Sequence, residues 1–410
     1  MSANTCRSCG AVLGRTVFDL GLVPLANEYP VSEQECKTEQ RYPLKVRLCE
    51  QCWLLQLEEA VSPSRLFSDY AYFSSYSDTW MSHAKQFVDN SRERWHLDNQ
   101  SLVVEVASND GYLLRHFVAL GIPVLGIDPA ENVVPTALAA GVPTEVGFFG
   151  LDLAERLAER GVAADLVVAN NVFAHVPDTN DFAAGLARVL KPEGILSIEF
   201  PELATMLLGT QFDQIYHEHV FYFSLLSCES ILRRNGLRVI DVEPLATHGG
   251  SLRVVACHDS AGHHAETSVS TKREQEGQLG LAGTEAYDAF AFAANRRAAS
   301  VRSFLEHAVA NGRTVVGYGA AAKGNTLLNY CGVSTREIGY VVDRSPHKQG
   351  RFLPGTHIPV FAPSKLLSDR PDYVIVLAWN LIDEVQASFP EVREWGGSFV
   401  TTMPSLTVLA

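Results

Sequence analysis

Apolar and polar positions alternate along this chain in two periods. Residues 101–106 form a short, nearly continuous apolar run, the mark of a strand covered on both faces. A turn and a helical spacing over 112–120 follow, and then a second run, 124–127, ends at Asp128. Segments 165–169 and 194–199 read as further strands, with 237–242 and 251–256 extending the series. Strands alternating with helices predict a doubly wound, largely parallel sheet. The polar stretch 258–283 reads as a surface connection, in which His258, His263 and His264 lack ligand spacing and are solvated. Helical spacing over 287–309 then leads into a second α/β unit, with strands at 314–317, 338–342 and 373–377. Upstream of both units lie an aromatic, polar stretch (70–80) and a helical segment (83–95).

Composition narrows the function classes. The chain has 410 residues, 47% of them apolar, and a net charge of −14. That length predicts two to four domains, each burying its own core. The acid excess argues against a nucleic-acid footprint, which needs a basic face. No apolar run approaches the roughly 20 residues that span a bilayer. The first ten residues lack the layout of a signal peptide. A soluble, cytoplasmic protein acting on small molecules is expected.

Five of the eight cysteines fall in the first 52 residues, four of them as Cys6-x-x-Cys9 and Cys49-x-x-Cys52. In a cytosolic chain, paired units of this kind point to a zinc site with four thiolate ligands, because a tight turn between two sulfurs offers adjacent corners of a tetrahedron. Four free thiols or a redox pair is the alternative. Cys36 need not be a ligand.

The two α/β halves suggest different ligands. In the first, the loop after strand one (107–111) has one glycine where a dinucleotide fold wants three, and Glu105 and Asp110 flank it. Two acids would repel a pyrophosphate but tolerate the cationic sulfonium of S-adenosylmethionine. Asp128 could accept both ribose hydroxyls of an adenosine. Acids at strand ends also serve simply to cap the next helix. The second half places Gly319, Lys323, Gly324, Asn325 and Thr326 around a helix start, a good setting for a phosphate. Asp343 follows Gly319 by 24 residues, so an NAD reading also survives, beside that of a structural glycine turn.

The densest polar cluster is Tyr216-His217-Glu218-His219. Histidine titrates near neutrality and suits removal of a proton from carbon beside a carbonyl. A His-x-His metal site and a pair of solvated histidines are the competing readings. In an extended segment Glu218 would point away from both histidines.

Taken together, the two Cys pairs and segments 72–77, 105–111, 213–219, 248–253 and 319–326 resemble the sugar-nucleotide C-methyltransferases of antibiotic deoxysugar biosynthesis, such as the mycarose and tetronitrose C-3 enzymes. The resemblance covers essentially the whole chain. It implies zinc on Cys6, Cys9, Cys49 and Cys52. It implies S-adenosylmethionine in a middle domain, with Glu105, Ser108, Asn109, Gly111 and Asp128 in the pocket, Phe148 and Phe149 near the adenine and Asn170 near the methionine portion. A dTDP-linked 4-keto-deoxysugar would be held by the C-terminal domain through Lys323, Asn325, Thr326 and Asp343, with Tyr222 and either Tyr70 or Tyr72 reaching the sugar. His219 would be the general base, beside Tyr216, Glu218 and His175. Where similar enzymes read Glu-His-Phe-Ser-Tyr, this chain has Val220-Phe221-Tyr222 after Glu218-His219, a change that bears on substrate choice.

The expected fold is α/β with an N-terminal four-cysteine zinc-binding lobe (1–68), a central Rossmann-like methyltransferase domain (69–265) and a C-terminal Rossmann-like sugar-nucleotide domain (266–410). The expected reaction is methyl transfer from S-adenosylmethionine to C-3 of the sugar through an enolate. An O- or N-methyltransferase, an NAD-dependent sugar-nucleotide oxidoreductase and a zinc-ribbon interaction module are the alternatives. The oligomeric state is not legible, and a monomer is compatible with the sequence.

Overall fold

One Cys-x-x-Cys turn precedes, and the other joins β2 to β3 of, a small antiparallel sheet of β1 (Arg15–Val23), β2 (Tyr42–Leu48) and β3 (Leu55–Leu57). The computed structural model describes residues 4–58, 61–62, 65–66, 74–76 and 78–409, so Tyr70 and Tyr72 lie outside the described residues. The next strands are β4 (Val103–Val106), β5 (Val124–Asp128), β6 (Thr144–Val146), β7 (Ala164–Asn170) and β8 (Leu190–Pro201). A two-residue strand, β9 (Phe221–Tyr222), leaves for another sheet before β10 (Leu237–Leu245) and β11 (Ser251–His258) return.

The central sheet runs β10-β11-β8-β7-β4-β5-β6. Strands β4 to β8 are parallel, and β11 is antiparallel to both neighbours. All four residues of β4 are buried, Glu105 among its three valines. The strand order reverses between β4 and β7, which opens a crevice beyond their C-terminal ends.

The C-terminal sheet consists of β12 (Val315–Tyr318), β13 (Val341–Val342), β14 (Val360–Phe361), β15 (Tyr373–Val376), β16 (Ser398–Thr401) and β17 (Thr407–Leu409). Its order is β14-β13-β12-β15-β16-β17, parallel except at β17. Gly324 lets the helix Ala322–Cys331 lie close on this sheet, since a Cβ there would stand 2.7 Å from the Leu377 Cβ.

The N-terminal lobe does not bury a core of its own. One cluster joins Phe18, Leu44 and Val46 to Phe212, Tyr287, Phe290, Leu328 and Val341 of the later domains. Another joins Cys6, Cys49 and Cys52 to Val104, Phe173 and Phe223 of the central domain. Three short strands expose too much surface to stand alone, so both faces are used for docking. The lobe also takes β9 as its fourth strand, against β3.

One sequence expectation fails here. Within the stretch read as a surface connection, Thr267–Leu279 is a helix packed on the central domain. Two of its three buried positions are charged, which hid it: Lys272 pairs with Glu202, and Glu276 accepts the Leu225 and Leu226 amides at 2.6 and 2.9 Å. The Glu276 carboxylate thereby sits at the start of the helix Leu225–Arg234, where the helix dipole favours it. Among the described residues no helix is long and apolar enough to cross a membrane.

Candidate active site and metal centre

The four N-terminal thiols come together at the contact between the lobe and the central domain. Cys6 and Cys52 sulfurs lie 3.6 Å apart and those of Cys9 and Cys49 3.4 Å apart, with all four within 4.8 Å of one another. A zinc tetrahedron with bonds of about 2.3 Å has edges of about 3.8 Å, so the set fits the metal. Each pair is folded by a turn in which Gly10 or Trp53 donates to the Cys6 or Cys49 carbonyl, with φ of 75° and 57°. Gln56 Nε2 and the Ser8 amide also donate to Cys6 Sγ, at 3.2 and 3.4 Å. Four protein thiolates leave no open coordination position, as in metal sites that serve structure. Cys36 lies on the short helix Glu33–Thr38, outside the cluster.

The crevice at the switch point carries the residues singled out in the first loop. Ala107, Asn109 and Gly111 all have positive φ, which folds the chain tightly after β4. Asp128, at the end of β5, accepts the Asn109 amide on one oxygen and the Ala130 amide on the other, each at 2.9 Å. A carboxylate has about four acceptor sites, so two remain for ribose hydroxyls. Ser108 turns inward against Gly126, where a Cβ would stand 2.5 Å from its hydroxyl. Glu105 is fully buried beneath the loop; burial drives its carboxyl well above the usual range, Asp128 and Asp110 add to this, and only the Tyr112 hydroxyl opposes it.

Asn109 and Asp110 hold the segment Ser74–Tyr76 over the loop by accepting the Ser74 and Ser75 amides at 3.0 and 3.2 Å. Asn170 ends β7 with its buried side-chain oxygen unpaired, as are buried oxygens of Ser108 and Asp110. Unpaired polar atoms gathered at one crevice fit a polar cofactor that completes them. Phe149 packs edge-on against Phe182 at 5.5 Å, while the neighbouring Phe148 is half exposed.

Residues 216–219 form a turn rather than an extended segment, because the His219 amide donates to the Tyr216 carbonyl at 2.9 Å. This separates the cluster. His219 Nδ1 faces the Gln214 carbonyl at 3.0 Å, and its Nε2 faces the Tyr216 hydroxyl at 2.7 Å. Donation from Nδ1–H to that carbonyl leaves Nε2 as the acceptor. Burial, reinforced by His175, holds the His219 imidazole well below its ordinary value and hence neutral. His175 stands with its ring centre 5.0 Å away, its Nδ1 on the Glu218 carbonyl at 2.7 Å. The Tyr222 hydroxyl is buried, with the ring 6.4 Å from that of His219.

The Glu218 carboxylate faces away, receiving Asn27 Nδ2 on both oxygens at 2.9 and 2.8 Å; burial pushes its carboxyl up to about 7. His217 is turned to the Pro43 carbonyl at 3.2 Å, so the two histidines do not share a site.

The C-terminal domain closes the other side. Lys323 donates to the His248 carbonyl at 2.6 Å and lies over the Trp379 ring at 5.0 Å. Trp379 donates in turn to Asp213 at 2.7 Å. Burial lowers the Lys323 ammonium to about 8 and raises the Asp213 carboxyl to about 6, each opposed by the other's charge. Asn325 and Thr326 do not face open space: Asn325 donates to the Ala26 carbonyl at 2.7 Å and Thr326 to that of Ile215 at 3.0 Å. Asp343 accepts the Ala320 and Ser345 amides, both at 2.7 Å, repeating the device of Asp128.

Sequence reading missed the wall between the two halves. Trp80 stacks on His83 (5.0 Å) and Tyr112 (6.0 Å) and meets His248 at 5.1 Å. Buried Glu199 ties this wall down by accepting from His83, Thr247 and Arg253 at 3.0–3.1 Å. Burial works against the Glu199 charge, but these donors outweigh it and keep the carboxyl below its usual range. The segment His248-Gly249-Gly250 was the available signal. Gly249 has a φ of 89°, and a Cβ on it would meet Trp379 at 2.2 Å.

A crevice at the switch point of a seven-stranded sheet, with a match of residues 81–242 to a methyltransferase domain, makes this an S-adenosylmethionine-dependent methyltransferase. More narrowly, the chain belongs to the C-methyltransferase family: residues 6–67 match its zinc binding domain and 246–404 its C-methyltransferase C-terminal domain. It is 37% identical to the C-methyltransferase NovU of Streptomyces niveus over 405 residues, covering 99% of this chain and 96% of the relative. The human mitochondrial ubiquinone biosynthesis O-methyltransferase is 30% identical over 152 residues, 33% of this chain and 41% of that protein. Among solved structures, a magnesium protoporphyrin IX methyltransferase from Synechocystis with bound S-adenosylhomocysteine is 18% identical, covering 44% of this chain and 83% of that one, with a TM-score of 0.35.

Proposed function

We propose that this enzyme methylates C-3 of a dTDP-linked 4-keto-6-deoxysugar, in deoxysugar and antibiotic biosynthesis, through an enolate formed by His219. The observation that carries this reading is a buried, neutral histidine whose Nε2 can only accept, set in a turn between the donor crevice and the C-terminal domain. A 4-keto group acidifies the C-3 proton, which reaches Nε2 by way of the Tyr216 hydroxyl while the electron pair moves toward the carbonyl oxygen. S-adenosylmethionine, when bound, supplies the electrophilic methyl group, so that a C–C bond forms as the S–C bond breaks.

Glu105, Ser108, Asn109, Gly111, Asp128, Phe148, Phe149 and Asn170 are assigned to the donor. Tyr216 and His175 orient His219, and Glu218 holds His175 through its backbone carbonyl. Tyr222 and Lys323 are assigned to the sugar nucleotide; Asn325, Thr326 and Asp343 act by holding the loop that carries Lys323. The protein's main contribution is to bring two ligands face to face between domains 69–265 and 266–410, with the lobe 1–68 as a brace. A small-molecule donor and acceptor, with no nucleic acid or membrane partner and a cytoplasmic setting, complete the reading.

His219→Asn tests it. With a panel of dTDP-4-keto sugars, product mass spectra should show one added methyl group for the wild type. The variant should bind S-adenosylhomocysteine and the sugar within about twofold of the wild type and lose ~10²–10⁴ in turnover. Near-full activity in His219→Asn would remove the base. Retention of deuterium placed at C-3 would point instead to O- or N-methylation.

A further inference from the structure

We propose that Gln56 is a positioning residue for methyl transfer, tying the four-cysteine knuckle to the strand that continues from His219. The inference rests on the reading of His219 as the base and adds a mechanical role for the metal lobe.

Gln56 is fully buried in β3, and both ends of its amide are engaged. Its Oε1 accepts the Arg7 amide at 3.0 Å, and its Nε2 donates to Cys6 Sγ at 3.2 Å. Its side chain is therefore bonded to two consecutive residues of the first knuckle. Its backbone stands between Arg47 of β2 and Phe221 of β9. One residue on, the Leu57 amide donates to the Val220 carbonyl at 2.8 Å, directly after His219. The Val220 and Phe221 amides both donate to the Ala174 carbonyl, at 2.8 and 3.3 Å, next to His175. Arg7 adds a parallel strut through its guanidinium, which donates to the Leu57 and Glu58 carbonyls at 2.6 and 3.2 Å.

The path from knuckle to base is thus short and made of bonds with defined directions. A two-residue strand such as β9 has little pairing of its own, so its register depends on the strand beside it. An apolar residue at 56 would leave the part-buried Arg7 amide without an acceptor, and β3 would be free to shift against the knuckle. Groups that donate to metal-bound sulfur orient the ligands in many metal sites. Here the same amide also reaches the reaction loop.

The test compares the full-length zinc-loaded wild type with Gln56→Leu. Leu157→Ala, a core truncation in the helix Leu151–Glu159, controls for general loss of stability. Zinc stoichiometry, amide hydrogen exchange of peptide 216–223 by mass spectrometry, and the rate of solvent deuterium entry at C-3 of the keto sugar are measured. Gln56→Leu should keep its zinc and its S-adenosylhomocysteine affinity. Exchange in 216–223 should rise at least tenfold, and deuterium entry should fall at least tenfold; Leu157→Ala should do neither.

Unchanged protection of 216–223 would overturn the proposal. So would unchanged deuterium entry in a loosened loop, or zinc lost in step with activity, which would make Gln56 part of the metal site alone. If the wild type neither methylates nor exchanges any 4-keto sugar, the substrate reading fails by itself. The amide-exchange comparison still decides the Gln56 link, because it needs no substrate.

Discussion

The Tyr216 hydroxyl stands 2.7 Å from His219 Nε2, on the one ring nitrogen that is not directed at a backbone carbonyl. The proton acceptor of the proposed reaction is therefore already covered. Substrate must either displace the phenol or pass its proton through it. The two routes differ in a measurable way. A relay predicts that Tyr216→Phe lowers kcat by about 100-fold, the usual range for losing a proton-transfer partner. Displacement predicts a kcat that is unchanged or higher. The ring centres lie only 4.0 Å apart and Tyr216 is packed against its partner, so we expect the relay and the 100-fold loss.

Asp128 carries a second prediction. Each of its oxygens accepts one loop amide, which sets the shape of the donor crevice before any ligand arrives. Asp128→Asn replaces one acceptor by a donor that faces an N–H. Calorimetric titration with S-adenosylhomocysteine should show affinity lowered by at least tenfold, about 1.4 kcal/mol. Zinc content should be unaffected, because the knuckle lies at a different contact. An affinity within twofold of the wild type would remove Asp128 from the donor site.

Much of this architecture is legible in the sequence. Strand β4 is apolar at every position but Glu105 because it is the middle of a covered parallel sheet, and Asp128 ends a strand because the crevice lies there. The paired cysteines were legible because local turns set their spacing. What escaped depends on pairing across long stretches of chain. His83 meets Glu199 across 116 residues and Asn27 meets Glu218 across 191, and no local pattern encodes either. The helix Thr267–Leu279 escaped because Lys272 and Glu276 are buried by charge pairing and capping rather than by apolar periodicity. Asn325 and Thr326 illustrate a different limit: a polar motif reads the same whether its groups face a ligand or a neighbouring backbone.

Metal removal should be felt well beyond the N-terminal lobe. Cys6, Cys49 and Cys52 share one core with β4 and the Phe173–Phe223 stack, whose rings lie 4.4 Å apart. Cys49→Ser should lose zinc and lower the melting temperature by on the order of 10 °C, since structural zinc contributes several kcal/mol or more of folding free energy. Calorimetry should show the transition that contains the central domain moving with it. A melt in which the lobe unfolds early and the central domain keeps its wild-type temperature would show that the shared core does not couple them.

Glu218 makes the last prediction, and its sign follows from burial. The residue is 7% exposed, and its carboxyl is raised to about 7 by desolvation, with Asn27 and Lys348 only partly offsetting this. In the unfolded chain a glutamate titrates near 4.3. A raised folded value means that the native state binds the proton more tightly. The resulting stability is complete below about pH 4.3 and is lost as pH rises through about 7. Glu218→Gln cannot take up that charge, so it escapes the alkaline penalty, while any change in its bonds to Asn27 weighs nearly equally at all pH values. The variant's stability relative to the wild type should therefore improve between pH 5 and pH 8, by on the order of 2 kcal/mol. Thermal melts of both proteins at the two pH values check this. A difference that stays constant with pH would mean that the carboxyl is already ionised in the native protein, with Asn27 and Lys348 sustaining its charge.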